Sequence, residues 1–89
     1  MTVRKRIRAH GRVQGVFFRD SVRRAAESEH VAGYARNRPD GSVEVVFEGP
    51  EEVVERLIDL CRAGPGHAEV TRLDVDREEP EGLSGFSVG

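Results

Sequence analysis

Residues 31–49 read "VAGYARNRPDGSVEVVFEG", two extended runs on either side of Arg38-Pro39-Asp40-Gly41-Ser42. Pro39 and the Asp40-Gly41 pair are turn residues, with Gly41 free to take positive φ. The segment therefore predicts a tight hairpin of two antiparallel strands. Period-two alternation in the second run places Ser42, Glu44, Val46 and Glu48 on one face.

Outward from the hairpin the pattern changes twice on each side. Toward the N-terminus, odd positions from Val3 to Val13 read Val3, Lys5, Ile7, Ala9, Gly11, Val13, and even ones Arg4, Arg6, Arg8, His10, Arg12. Apart from Lys5, this is a strand with one apolar and one cationic face. Phe18, Val22, Ala25 and Ala26 then recur at helical spacing and predict a helix from Phe17 or Phe18 to Glu29. Toward the C-terminus, "GPEEVVERLIDLCRAG" (49–64) has Pro50 in the first turn, Glu51 and Glu52 at the positive end of the helix dipole, Arg62 in the last turn and Gly64 just beyond. Val53, Val54, Leu57, Leu60 and Cys61 line its predicted apolar side. "EVTRLDVDR" (69–77) predicts a fourth strand, "EEPEGLSG" (78–85) an acidic loop, and "FSV" (86–88) a short strand pinned through Phe86.

The order is β, α, β, β, α, β with a small terminal strand. Two amphipathic helices and strands with one apolar face each are satisfied by helices on one face of an antiparallel sheet. The expected fold is α+β, a ferredoxin-like βαββαβ sandwich. Its 89 residues suit a single domain over residues 1–89. Hydrophobic residues at 37% and charged ones at 34% describe a globular rather than a disordered chain. No apolar run is long enough to span a bilayer, and the basic "MTVRKRIRAH" is not followed by the apolar core of a secretory signal. A cytoplasmic protein is the resulting expectation. Cys61 is the only cysteine, which excludes an internal disulfide and a thiolate metal site and suggests a buried helix residue. His10, His30 and His67 show no ligand spacing, so no metal and no cofactor are expected.

The net charge of −2 hides an asymmetry, with eight Lys or Arg against one acid in residues 1–24 and six against fifteen in residues 25–89. A basic N-terminal quarter points to an anionic ligand nearby, or to neutralisation between the two parts on folding. "GRVQGVFFRD" (11–20) sits in that quarter, where the first strand gives way to the first helix. Such a loop presents backbone N–H groups and the positive end of a helix dipole to one point. Gly15 permits a sharp turn in which a side chain would crowd both the turn and a bound anion. Phe17 and Phe18 are expected to anchor the loop on the core, and Arg19 to offer a planar fork of donors suited to phosphate oxygens. It lacks the GxxxxGK[ST] pattern of nucleoside-triphosphate loops. Taken alone, the stretch fits an ordinary strand-to-helix connection as well as a phosphate site. Asn37, likewise, would be read alone as a strand-end residue bracing the turn.

Two motifs together resemble the acylphosphatase family. "GRVQGVFFRD" is similar to its G-x-V-Q-G-V-x-F-R signature and "GYARNRPDGSVEVVFEG" to its G-[WY]-V-R-N-x-x-D-G-x-V-E segment, and the likeness continues through "GPGHAEV" and "FSV". The chain departs from it at His30-Val31, where Gly-Leu is usual, and at Tyr34 and Ala35. The resemblance implies a metal-independent hydrolase that cleaves the carboxyl–phosphate anhydride of small acyl phosphates by direct attack of a positioned water. Arg19 and Asn37 would be catalytic, and Gln14, Gly15, Val16, Phe17, Phe18 and Arg19 would cradle the phosphate. A monomer with no nucleic-acid partner is implied. Two alternatives stay open. A non-catalytic module could keep the cradle to bind phosphate or a carbamoyl-phosphate-like ligand. The cationic face of the first strand could serve RNA, although the middle strands lack stacking aromatics and their acids are placed to pair with the arginines.

Overall fold

A computed structural model describes residues 1–89. The elements in chain order are β1 (Thr2–Arg12), α1 (Phe18–Ser28), β2 (Ala32–Asn37), β3 (Val43–Pro50), α2 (Glu51–Ala63), β4 (Glu69–Glu78) and β5 (Phe86–Val88). The sheet order is β4-β1-β3-β2-β5. β1 lies antiparallel between β3 and β4, and β2 antiparallel to β3, which is the expected βαββαβ arrangement. β5 makes the sheet mixed, because it pairs parallel to β2. The chain leaves β4 at one edge, passes to the other and reverses, so it ends up running with β2.

The central hairpin forms as its turn chemistry dictates. Asp40 Oδ1 accepts from the Ser42 backbone N–H at 2.9 Å and from its hydroxyl at 2.6 Å, while Gly41 takes φ 92°. β1 and β3 then pair in a register that sets Ile7 opposite Val45 and Ala9 opposite Val43. Their side chains join Val3, Phe47 and Ala35 under the two helices. α1 contributes Phe18, Val22 and Ala26 to this core. α2 buries Val54, Leu57, Ile58 and Cys61, a stripe rotated from the expected one: Ile58 is inside, and Val53 and Leu60 are only half-buried. Gly64 ends α2 at φ 81°, as the sequence suggested, while Pro50 stands one place earlier than expected, at the cap.

The cationic face of β1 turns away from the helices and meets acids of β3 and β4. Arg4, although only 3% exposed, is held by Glu48 at 2.6 Å and Glu78 at 2.9 Å. Arg6 reaches Glu44 and, at 2.6 Å, Glu78, and His10 reaches Asp74 at 3.0 Å. Glu48 also accepts the backbone N–H groups of Glu81, Gly82 and Leu83, strapping the acidic loop across this face. Burial alone would raise the Glu48 carboxyl. Donation by the Glu81 N–H, by Arg4 and by the Leu83 and Gly82 N–H groups outweighs it, and the pKa lies below the ordinary carboxylate value. The arginine ladder is thus largely consumed within the sheet; Arg8 and Arg12 remain exposed.

Strand direction decides where loops meet. Pairing of Arg12 with Glu69, of Asn37 with Val43 and of Ala35 with Val88 brings the ends of β1, β2 and β5 to the same side as the beginnings of β3 and β4. Both motif segments singled out in the sequence arrive there.

Candidate active site

β1 is redirected before it ends. Its register against β4 shifts between His10 and Gly11, and Gly11 stands at φ 118°, where a Cβ would fall 2.3 Å from the Glu69 carbonyl oxygen. Beyond this bulge the loop is fastened by Val13, Val16 and Phe18, all buried. Phe17 does not anchor it: the residue sits in the left-handed region at φ 64° and its ring is 67% exposed, edge-on to His67. The expectation of two core phenylalanines fails because the positive φ at Phe17 turns one ring outward while the next enters the core. Strain of this kind persists only where the surroundings enforce it. They do so here, since the Val16 carbonyl accepts the His67 N–H at 3.0 Å and the Phe17 carbonyl accepts that of Ser21 at 3.1 Å.

These two bonds also orient donors. In a trans peptide the N–H points opposite to the C=O. Committing the Val16 and Phe17 carbonyls to one side therefore turns the N–H groups of Phe17 and Phe18 to the other. No N–H group from Gly15 to Asp20 has a backbone partner, and the last three open α1 with its positive dipole end. Gly66 of the facing loop must be small, because a Cβ there would lie 2.7 Å from the Val16 oxygen. Gly15, at φ 71°, has no atom within 4 Å of where a Cβ would stand. Its turn is not crowded, contrary to the sequence expectation; the constraint is the backbone angle.

The loop borders an open cleft of about 360 Å³ whose lining includes Gly15, Phe17, Phe18, Arg19, Arg23 and Val88. Arg19 is held at its rim by donating from Nη1 to the backbone oxygen of Gly89, whose own N–H donates to Ala35 at 3.0 Å. One bond of this kind leaves most of the five guanidinium N–H donors free for an anion. Asp20 is held below the ordinary carboxyl value: the hydrogen bond from Arg24, joined by that from Arg23, outweighs the opposing desolvation.

Asn37 is not among the cleft residues. It is exposed at the end of β2, opposite Val43, and its amide has no protein partner. What relates it to the cleft is Gln14, whose Nε2 donates to the carbonyls of Arg38 at 2.8 Å and Ser42 at 2.9 Å. Gln14's side chain thus ties the hairpin turn next to Asn37 to the loop preceding Arg19, leaving only its backbone for the cradle. Val16 can likewise serve only through its backbone, its side chain being buried. Arg23 and Val88 were missed in the sequence. Arg23 is legible as the residue one turn beyond Arg19 on the same helix face. Val88 is not, because only the placement of β5 brings it there.

No group of three His, Cys, Asp or Glu side chains is placed to hold a metal ion. Cys61 is buried in α2, and burial pushes its thiol up to about 12, so it is not a nucleophile. No helix is long and apolar enough to cross a membrane. The arrangement offers charge and donors for an anion, and an amide nearby, with no activated nucleophilic side chain.

Comparisons with known proteins agree on one family. Residues 5–88 match the family model for acylphosphatase. The chain is 56% identical over 86 residues to the acylphosphatase of Gloeobacter violaceus, covering 92% of each. It is 56% identical over 88 residues to that of Thermococcus kodakarensis, covering 94% of this chain and 97% of the relative. The crystal structure of acylphosphatase from Bacillus subtilis superposes with a TM-score of 0.93 at 36% identity over 98% of both chains.

Proposed function

The chain belongs to the acylphosphatase family, and from that premise we propose how it hydrolyses the carboxyl–phosphate anhydride of a small acyl phosphate. Water attacks phosphorus directly, with Arg19 and the loop N–H groups on the phosphoryl oxygens and Asn37 on the water. The observation that carries this reading is the row of unpartnered N–H groups from Gly15 to Asp20 beside Arg19.

The leaving group makes modest demands. A carboxylate of pKa about 4 departs without a general acid. What remains is to bind a dianion, reduce its repulsion toward the incoming oxygen and align water with the leaving oxygen. Arg19 and the N–H groups meet the first two needs with donors already in place, which avoids reorganisation during the reaction. Asn37, with one carbonyl acceptor and two N–H donors, suits the third. A phosphoryl oxygen of the substrate takes the water's proton. In this reading charge neutralisation needs no cation, and the products are a carboxylate and inorganic phosphate.

The same reading takes the protein as a cytoplasmic monomer. Of its five exposed large apolar side chains, Phe17 and Val88 line the cleft. The β4 edge carries Arg72, Asp74, Asp76 and Arg77, charges that discourage strand addition. The deciding experiment is hydrolysis of acetyl phosphate beside a phosphate monoester, with and without a chelator. Cleavage of the anhydride alone, insensitive to chelator and lost in Arg19→Ala, is expected; dependence on added magnesium would overturn the charge assignment.

A further inference from the structure

We propose that Arg23 is a specificity-determining residue of the cleft, favouring acyl phosphates whose acyl portion ends in a carboxylate of its own. The inference rests on the hydrolytic reading of the Arg19 cleft and concerns the part of the substrate that does not react.

Arg19 and Arg23 stand four residues apart on α1 and both line the cleft. On a helix such residues are neighbours, with Cβ atoms about 5–6 Å apart. The cleft therefore presents two cationic groups along one wall, with Asp20, which also lines it, hydrogen-bonded to the second. Its volume of about 360 Å³ exceeds what a phosphoryl group needs. The surplus is bordered by Val13, Phe17, Phe18 and Val88, an apolar lining suited to a short carbon chain.

Arg23 is also incompletely satisfied. Its one side-chain hydrogen bond runs from Nη2 to Asp20 Oδ1 at 2.5 Å, and Nε is buried without a partner. The other Asp20 oxygen is taken by Arg24, whose Nε donates at 2.9 Å. One carboxylate is thus divided between two guanidiniums, and the group keeps a net positive charge beside Arg19. The Arg23 side chain is 41% exposed, so Nη donors beyond the one given to Asp20 are open to a ligand, and a carboxylate can take two donors of the fork at once. A four-carbon diacid phosphorylated at one end would then place its phosphoryl group at Arg19 and its free carboxylate at Arg23.

The test compares succinyl phosphate with butyryl phosphate, which has the same chain length and lacks the distal carboxylate. The wild-type protein should show at least about tenfold higher kcat/KM on succinyl phosphate, the factor for one charge-assisted hydrogen bond, carried mainly by KM. Arg23→Gln should lower kcat/KM for succinyl phosphate at least about tenfold more than for butyryl phosphate, and Arg23→Lys, which keeps charge without the fork, should fall between. Inhibition of the wild-type protein by succinate but not by butyrate at equal concentration gives a readout independent of any variant's folding. Equal kcat/KM on the two substrates, or equal losses on both in Arg23→Gln, would overturn the inference while leaving the hydrolytic reading intact. Absence of hydrolysis of either substrate would instead sink the hydrolytic reading and this inference with it.

Discussion

Gln14→Leu tests whether the amide that joins the two halves of the site serves catalysis or only the fold. Leucine keeps the volume and removes both donors. The Arg38 and Ser42 carbonyls that lose Gln14 each retain a backbone donor, since Gly41 N–H donates to Arg38 at 3.1 Å and Arg38 N–H to Ser42 at 2.8 Å. The turn therefore survives, and neither oxygen is orphaned. The loss should sit at the lower end for two hydrogen bonds, about 1–2 kcal/mol, or roughly 5–15 °C in Tm for a chain this size. What disappears is the link between the turn beside Asn37 and the loop before Arg19. If Asn37 orients water, a displacement of about 1 Å can reduce kcat on the order of a hundredfold. Inhibition by inorganic phosphate should change little, because Arg19 and the loop N–H groups are untouched. Gln14→Glu, which sets carboxylate oxygens against two carbonyls, should be worse than leucine in stability and in kcat. The assay is acetyl phosphate turnover and phosphate inhibition in one buffer well below the lowest Tm. A lower Tm with unchanged kcat would make Gln14 purely structural. Phosphate inhibition weakened as much as turnover would place its effect on the cradle rather than on Asn37.

Gly15→Ala should cost about 1–2 kcal/mol for a side chain held at φ 71° and should still fold, since the added methyl meets open space. It should weaken phosphate inhibition, and unaltered inhibition would remove Gly15 from the cradle. His30 stands at φ 57°. His30→Gly should therefore gain about 0.5–1 kcal/mol after glycine's own entropy cost is subtracted, and a melting temperature that does not rise by a few degrees would contradict this. Hydrogen bonds from Arg6 and then Arg4 hold Glu78 down from 4.5 to about 2. The native pKa is the lower one, so its contribution is complete above about pH 4.5 and is lost as pH falls toward 2. Urea unfolding across that window should show wild-type stability falling and Glu78→Gln falling less steeply; identical slopes would show that Glu78 is not the group responsible.

What the sequence could and could not disclose follows from how each feature is encoded. The hairpin, both helices and Gly64 were legible because period, caps and turn residues act within a few positions of one another. The α2 stripe was misread although the signal was present: Val54, Leu57, Ile58 and Cys61 follow the i, i+3, i+4, i+7 spacing, and favouring Val53 and Leu60 rotated it. Pairing of Arg4 and Arg6 with the acids of β3 was foreseeable, since alternation puts like-facing residues of neighbouring strands side by side. The strap of residues 81–83 over Glu48 was not, because backbone N–H groups in a loop leave no mark on composition.

Phe17 and β5 mark the boundary at the site itself. Phe17-Phe18 reads as two apolar residues, and only the left-handed φ imposed where Val16 meets His67 separates an exposed ring from a core ring. β5 reads as a short strand whose partner is undetermined. Its parallel pairing with β2 carries Val88 into the cleft and the Gly89 oxygen to Arg19, joining residues 70 positions apart. The convergence of the two motifs, by contrast, follows from topology. In a βαββ order with antiparallel pairing, the end of the first strand and the turn of the hairpin must lie on the same side of the sheet. A loop of free N–H groups before the first helix and an amide at the end of the second strand are thereby brought to the same side of the sheet. Gln14 then ties the hairpin turn to the loop through one side chain, which is why a single substitution there is expected to lower turnover more than phosphate binding.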